Sequence, residues 1–380
     1  MTMTRRNFVE SSLSGMALLL TEAESRADQW NANPGITVIG VDGANLTPNY
    51  LQDYLDVGAT VWQVSDNTVD FVTFDAIDSF VEANSSKVTL AKSCSDILAA
   101  KRAGKVAMVV GCQEMWPLEW QWASAAGAGP NNYIASKPVT DLRKYYDRGL
   151  RMGNLAYQLS NSFGGGLLDP TTPLSIAGEY MVDQMQEMGI LVDCSHSSEQ
   201  TTLDIFKRAK RPVVFSHSNV LALNDNIRNI TDRQIEGAAK TGGLIGVNAV
   251  NAYLRWSVKD ARHAENPAYF PPLASMSQYV DVMDHIRDLV GVDYIGLGTD
   301  WTVGNPPDNS GTHFPSPPSF VLPPTMIYYS PYLEYVQNFN QVKDLPLLRP
   351  ELVRHGYSSA DITKILGGNW MRVFRQAWNS

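Results

Sequence analysis

A (β/α)8 barrel of the TIM type is the fold class this chain predicts, and three observations predict it. Short apolar, β-branched runs recur along the sequence, amphipathic helical patterns lie between them, and polar residues sit where the runs end. The seven runs are "GITVIGVDG" (35–43), "ATVWQVS" (59–65), "KVAMVVG" (105–111), "GILVDCS" (189–195), "PVVFS" (212–216), "GLIGVNAV" (243–250) and "DYIGLGTD" (293–300). Each is short and mostly apolar, as a strand covered on both faces must be. The segment "NLAYQLSN" (154–161) supplies an eighth.

The helical patterns follow in order. "TFDAIDSFVEANSS", "AGEYMVDQMQEMG", "TTLDIFKRAK", "DRQIEGAAKTG" and "MSQYVDVMDHIRDLVG" place apolar residues at three- and four-residue spacing, and several stop at glycine. A doubly wound sheet would call for G-x-G-x-x-G after the first strand, and "VIGVDGANL" lacks it. The Pro-rich stretch 304–325 reads as a long loop, and "SADITKILGGNWMRVFRQAW" as one closing amphipathic helix.

Composition narrows the function. The 380 residues carry a formal charge of -9 and no basic run beyond pairs such as those in "KRAKR", so there is no electrostatic footprint for nucleic acid. Nothing reaches the roughly 18 apolar residues that span a bilayer. Cys94, Cys112 and Cys194 share no metal-type spacing, and their odd number argues against a disulfide framework. Near the start, "TRRNF" with the apolar stretch behind it resembles a twin-arginine export signal. The expectation is a signal segment over 1–27 and one domain over 28–380, exported already folded to the periplasm or beyond.

In a barrel the C-terminal strand ends converge on one mouth, which is where function sits. Those ends carry Asp42, Asp66, Gln113 with Glu114, Tyr157, His196, His217, Asn248 and Asp300. His196 and His217 stand in the same context, Ser-His-Ser, on consecutive strands, so their imidazoles can share one cation. Asp193 should point away from His196 by alternation. Arg228 can pair with an acidic neighbour or bind an anion. The tryptophans of 114–122 read as a lid or a subunit contact, and His313 lies in the Pro-rich loop.

These motifs together resemble the membrane dipeptidases, peptidase family M19 of the amidohydrolase superfamily. "GILVDCSHSS" and "PVVFSHSN" look like the family's two histidine-bearing strands, and "IRNITDRQIE" like the segment carrying a carboxylate-binding arginine, here Arg228. "YIGLGTDW" resembles the strand that delivers the catalytic aspartate, here Asp300, while "GLRMGNLAYQLSNSFGGG" puts Tyr157 at a substrate-contacting position. The resemblance implies a binuclear zinc dipeptidase, commonly a homodimer. Two departures oppose the binuclear part. The family opens its first strand with D-G-H-x-D, where this chain has Ala44 and Leu46, and Gln113 stands where a carboxylate bridges the metals.

Three states of the centre fit. One Zn2+ sits on His196 and His217, completed by Gln113 or Glu114 and water, with Asp300 as general base. Or the histidines do acid–base work without metal, or the pocket binds without catalysing. The expected function is hydrolysis at the amide of a small peptide-like molecule. The alternative is an altered homologue that serves in maturation of a peptide-derived metabolite.

Overall fold

The computed structural model describes residues 35–43, 46–66, 71–115, 137–255, 272–301 and 335–379. The signal segment, Ala44, the tryptophans of 116–122 and the Pro-rich stretch with His313 lie outside the described residues, as do the side chains of Asp42 and Asp66.

Among the described residues there are nine strands, all in parallel pairings: β1 Val38–Gly43, β2 Val61–Asp66, β3 Val88–Leu90, β4 Val106–Cys112, β5 Leu150–Asn154, β6 Leu191–Asp193, β7 Val213–Val214, β8 Ile245–Val247 and β9 Ile295–Leu297. They pair in the order β1-β2-β4-β5-β6-β7, with β8 on β9, and a parallel bridge from Phe215 to Ile245 joins the two sets. The ring closes where Gly40 of β1 lies against the Leu297 carbonyl of β9. β3 stays outside the ring and pairs with the first residues of β4, below β5. The apolar runs therefore do form a barrel, and its helices fall where the periodicity put them, including Ile176–Met188, Glu199–Arg208, Asp232–Lys240 and Met276–Val290. Side chains cap these four, Ser175, Ser198, Thr231 and Ser275 each accepting a backbone N–H of the first turn.

Two expectations are corrected. The eighth strand is Leu150–Asn154 and overlaps 154–161 only at Asn154. Arg151 makes that run look like surface, yet it is buried, its guanidinium donating to the carbonyls of Lys92, Tyr146 and Leu150 over the Tyr146 ring. Past Asn154 the chain turns, because the Asn161 amide bonds the Leu155 carbonyl and its oxygen takes the Phe163 N–H. The closing helix is also broken. Ser359–Thr363 gives way to a π-turn at Lys364–Gly368 before Asn369–Ala377. Gly367 there lies against the Ile36 carbonyl, where a side chain has no room. The break lets Asn369 donate to the Val292 and Ile295 carbonyls and Trp370 to the Leu297 carbonyl, which seals the base of the barrel beside the β1/β9 seam.

The mouth depends on a close approach. Gly246 of β8 and Gly298 after β9 both face the Ser216 carbonyl, and a Cβ on either would fall well inside 3.0 Å of it. Gly246→Ala should therefore cost about 3 kcal/mol by overpacking against backbone. Gly104→Ala meets no neighbour within 4 Å and bears only its φ of +65, so about 1 kcal/mol is expected. Urea unfolding midpoints of the two variants check the ranking.

Candidate active site

His196 lies three residues past β6 and His217 three residues past β7, so both imidazoles enter the mouth from adjacent strands. His196 takes a left-handed backbone, φ +68, and Asp300 past β9 does the same at +58. Such conformations cost non-glycine residues of order 1 kcal/mol and persist where the surroundings dictate them.

The two Nε2 atoms face each other at 3.0 Å, and both rings are buried. Tyr157 stacks on His196 at 3.9 Å between ring centroids. His217 is held from behind. Its Nδ1 lies 2.7 Å from the Ser216 hydroxyl, which donates to the Asp193 carboxylate on the neighbouring strand. Asp193 does not turn to His196. It reaches across to β7 and also accepts the backbone N–H groups of Ser195 (3.0 Å) and Ser216 (2.9 Å). Its part in the site was missed because alternation was followed along one strand, whereas the contact runs between two.

Arg228, only 2% exposed, sits under the histidines and donates to the Ser218 hydroxyl (2.9 Å) and the His217 carbonyl (2.6 Å), with the Tyr253 ring 5.5 Å away. Among the described residues no carboxylate lies within ion-pair distance of it. On the far side of the mouth, Asn248 donates to Asp300 at 3.0 Å, and Tyr335 donates to the Asp300 backbone carbonyl. Gln113 and Glu114 follow β4. Gln113 is buried with its Oε1 lacking a hydrogen-bond partner among the described residues, and Glu114 is half-buried. Neither Glu114 nor Asp300 forms a tight ligand trio with the two histidines. Among the described residues the single such trio of His, Cys or acidic groups is Asp281, Asp284 and His355, away from the mouth. Next to Arg228 opens a cavity of about 170 Å3, lined by Leu167, His196, Ser197, Ile227 and Asn229 among others.

The electrostatics follow from burial around one cation. Burial first, then the Arg228 charge, pushes both histidines well below their ordinary 6.5, so both are neutral at pH 7. Burial raises Asp300 to about 6 against the opposing pull of Arg228 and Asn248. Cys194 is buried and its thiol pushed well up, which removes it as a nucleophile.

These residues fit one cation better than two. Neutral imidazoles directed at a common point are zinc-type donors, and the Gln113 oxygen is a further buried acceptor. A second ion finds no donor at Leu46, which packs against the hydrophobic core.

The profile of "Membrane dipeptidase (Peptidase family M19)" matches residues 40–312 and 330–380. The chain belongs to this family. Within it, dipeptidase 3 of Rattus norvegicus is 28% identical over 242 residues, 62% of this chain and 41% of that protein. Dipeptidase tcpJ of Claviceps purpurea is 25% identical over 314 residues, 80% of this chain and 59% of that protein. The chain thus spans about half the length of these two relatives. The fold is shared with an amidohydrolase from Pseudomonas aeruginosa at a TM-score of 0.71 and 23% identity, over 94% of this chain and 99% of that one. No helix among the described residues is long and apolar enough to cross a membrane.

The Asp300 environment fixes a sign. Its folded value of about 6 exceeds the ordinary 3.8, so the folded state retains a proton that the unfolded chain has released between those values. Burying the carboxylate therefore costs stability that is lost as pH rises through 4 to 6. In chelator-treated protein, Asp300→Asn should be more stable than the parent by about 2–3 kcal/mol at pH 7.5, and equal to it near pH 4. Urea unfolding across that range measures the difference.

Proposed function

We propose that this chain hydrolyses the amide bond of a small peptide-like molecule that carries a free carboxylate, with one zinc-type ion held by His196 and His217 and, as a further donor, Gln113 or Glu114. The observation that carries the reading is the buried Arg228 guanidinium, which has no carboxylate within ion-pair distance among the described residues and stands beside a neutral histidine pair and an aspartate of pKa about 6. A buried cation in that state calls for an anion, and a substrate carboxylate answers it with a two-pronged fork.

When bound, the ion would polarise the carbonyl to be attacked. Arg228 anchors the carboxylate and so fixes which amide faces the histidines. Tyr157 walls the pocket against the His196 ring. Asp300 accepts a proton from the attacking water as the C–O bond forms, then returns it to the departing nitrogen as the C–N bond breaks. A carboxyl group near pKa 6 exists in both forms near neutrality, which suits both transfers. The two relatives named as dipeptidases support a short peptide as the substrate class. The Arg5-Arg6-Asn7-Phe8 stretch supports export to the periplasm, and a homodimer is what the resemblance to the dipeptidases implies.

A second reading is a catalytically altered homologue that binds or tailors a peptide-derived metabolite without cutting it. Ala44, Leu46 and Gln113, which the resemblance sets at the family's ligand positions, favour it.

Elemental analysis of the reloaded protein separates the two. The hydrolase reading expects one zinc per chain, none in His217→Ala, and dipeptide turnover that His217→Ala abolishes. Absence of both metal and turnover would establish the second reading. Given turnover, Asp300→Asn should lower kcat about 10²–10⁴-fold. Arg228→Met should raise KM about 10–100-fold, the worth of a charged hydrogen-bonded pair, with a smaller loss in kcat.

A further inference from the structure

The hydrogen bonds behind His217 form a chain in which every proton can be counted. The Asp193 carboxylate lies at the end of β6, fully enclosed, and meets the Ser195 N–H, the Ser216 N–H and the Ser216 hydroxyl, with the Ser195 hydroxyl as a further, weaker partner. Burial raises the Asp193 carboxyl, while the hydrogen bonds from Ser216 and Ser195 pull it back toward the ionised form. As a carboxylate it only accepts, so the single Ser216 proton is committed to it. The Ser216 oxygen is then left as an acceptor toward His217 Nδ1, 2.7 Å away. That contact is satisfied only if Nδ1 carries the imidazole proton. His217 Nε2 must therefore present a lone pair, and it is this atom that faces His196 Nε2 at 3.0 Å.

We propose that Asp193 and Ser216 are positioning residues that lock His217 in its Nδ1–H tautomer, so that its Nε2 lone pair is permanently offered to the mouth. Carboxylates commonly orient a functional histidine by direct contact. Here the carboxylate is on the adjacent strand and acts through one serine hydroxyl. The device is rigid because Ser216 is held on its other side as well, its carbonyl wedged between Gly246 and Gly298, while the His217 N–H donates to the Ser195 hydroxyl at 3.1 Å. The two Ser-His-Ser stretches thus divide the work. Ser216 sets the proton of the histidine that follows it, and Ser195 receives the backbone of that same histidine.

The proposal deepens the hydrolase reading and rests on it only for what the nitrogen does next. Its test needs neither substrate nor turnover. In metal-free protein at pH 7.5, long-range 1H–15N correlation spectra should show His217, assigned by its absence in His217→Ala, as the Nδ1–H tautomer. Asp193→Asn is the decisive variant because it is isosteric and reverses the logic. Its amide donates to the Ser216 oxygen, the serine proton turns to Nδ1, and His217 should flip to Nε2–H. Ser216→Ala should leave a mixture of tautomers. Zinc affinity by chelator competition should fall about 10–100-fold in both variants, in line with the loss of a supporting contact to a ligand. A parent protein already in the Nε2–H form, or an Asp193→Asn protein that folds and keeps Nδ1–H, overturns the proposal. If the tautomers behave as expected while no dipeptide is cut, the relay stands and the hydrolase reading falls.

Discussion

The barrel mouth is held together as much by buried polar side chains as by strand ladders, and the rest of the site depends on that. β6 to β9 are only two or three residues long, and beyond them backbone pairing thins to single bonds such as Ser218 N–H to the Gly246 carbonyl (2.8 Å) and Ala249 N–H to the Thr299 carbonyl (3.2 Å). Polar side chains then take over from strand to strand. Asn154 at the end of β5 donates to the Ser195 carbonyl, Asp193 of β6 receives Ser216 past β7, and Asn219 and Asn248 exchange two bonds across β7 and β8, at 3.0 and 2.9 Å. Asn248 passes the belt on to Asp300. Each link is worth about 1 kcal/mol, and those to a carboxylate somewhat more. Because most of these groups are buried, losing one exposes its partner to the larger cost of an unmade bond.

Within that belt one charge organises the chemistry. Arg228 is buried under His217 and bonded to neutral groups, and among the described residues no carboxylate lies within ion-pair distance of it. The same charge that adds to burial in keeping the histidines unprotonated draws Asp300 back toward the ionised form, against the burial that raises it. A neutral donor pair and a proton-exchanging carboxyl group are thereby produced at one mouth, from groups of quite different intrinsic acidity.

Much of this was legible in the sequence. Seven strands announced themselves because a strand covered on both faces has to be apolar, and the polar strand ends pointed to the mouth. Leu150–Asn154 was hidden because Arg151 broke the apolar pattern, and only the fold shows three carbonyls and a tyrosine ring gathered to receive its guanidinium. β3 was too short to register. The histidines, Arg228 and Asp300 could be singled out by their strand-end context and by resemblance, but Asp193 could not. Its role depends on register between β6 and β7, which no pattern within one strand encodes. The break in the closing helix belongs to the same class: the Gly367-Gly368 pair was visible, but the Ile36 carbonyl it accommodates was not.

The left-handed backbone at His196 bears on how the site should be dissected. Alanine is the customary replacement for a histidine, yet at φ +68 it loses the imidazole while keeping the steric penalty of a β-carbon, so a damaged protein and a disarmed one look alike. Asparagine tolerates that conformation well, and glycine bears no penalty in it at all. The His196→Asn and His196→Gly proteins would share the missing ring but differ in backbone freedom. Agreement between them would assign a defect to chemistry, and disagreement to the shape of the chain.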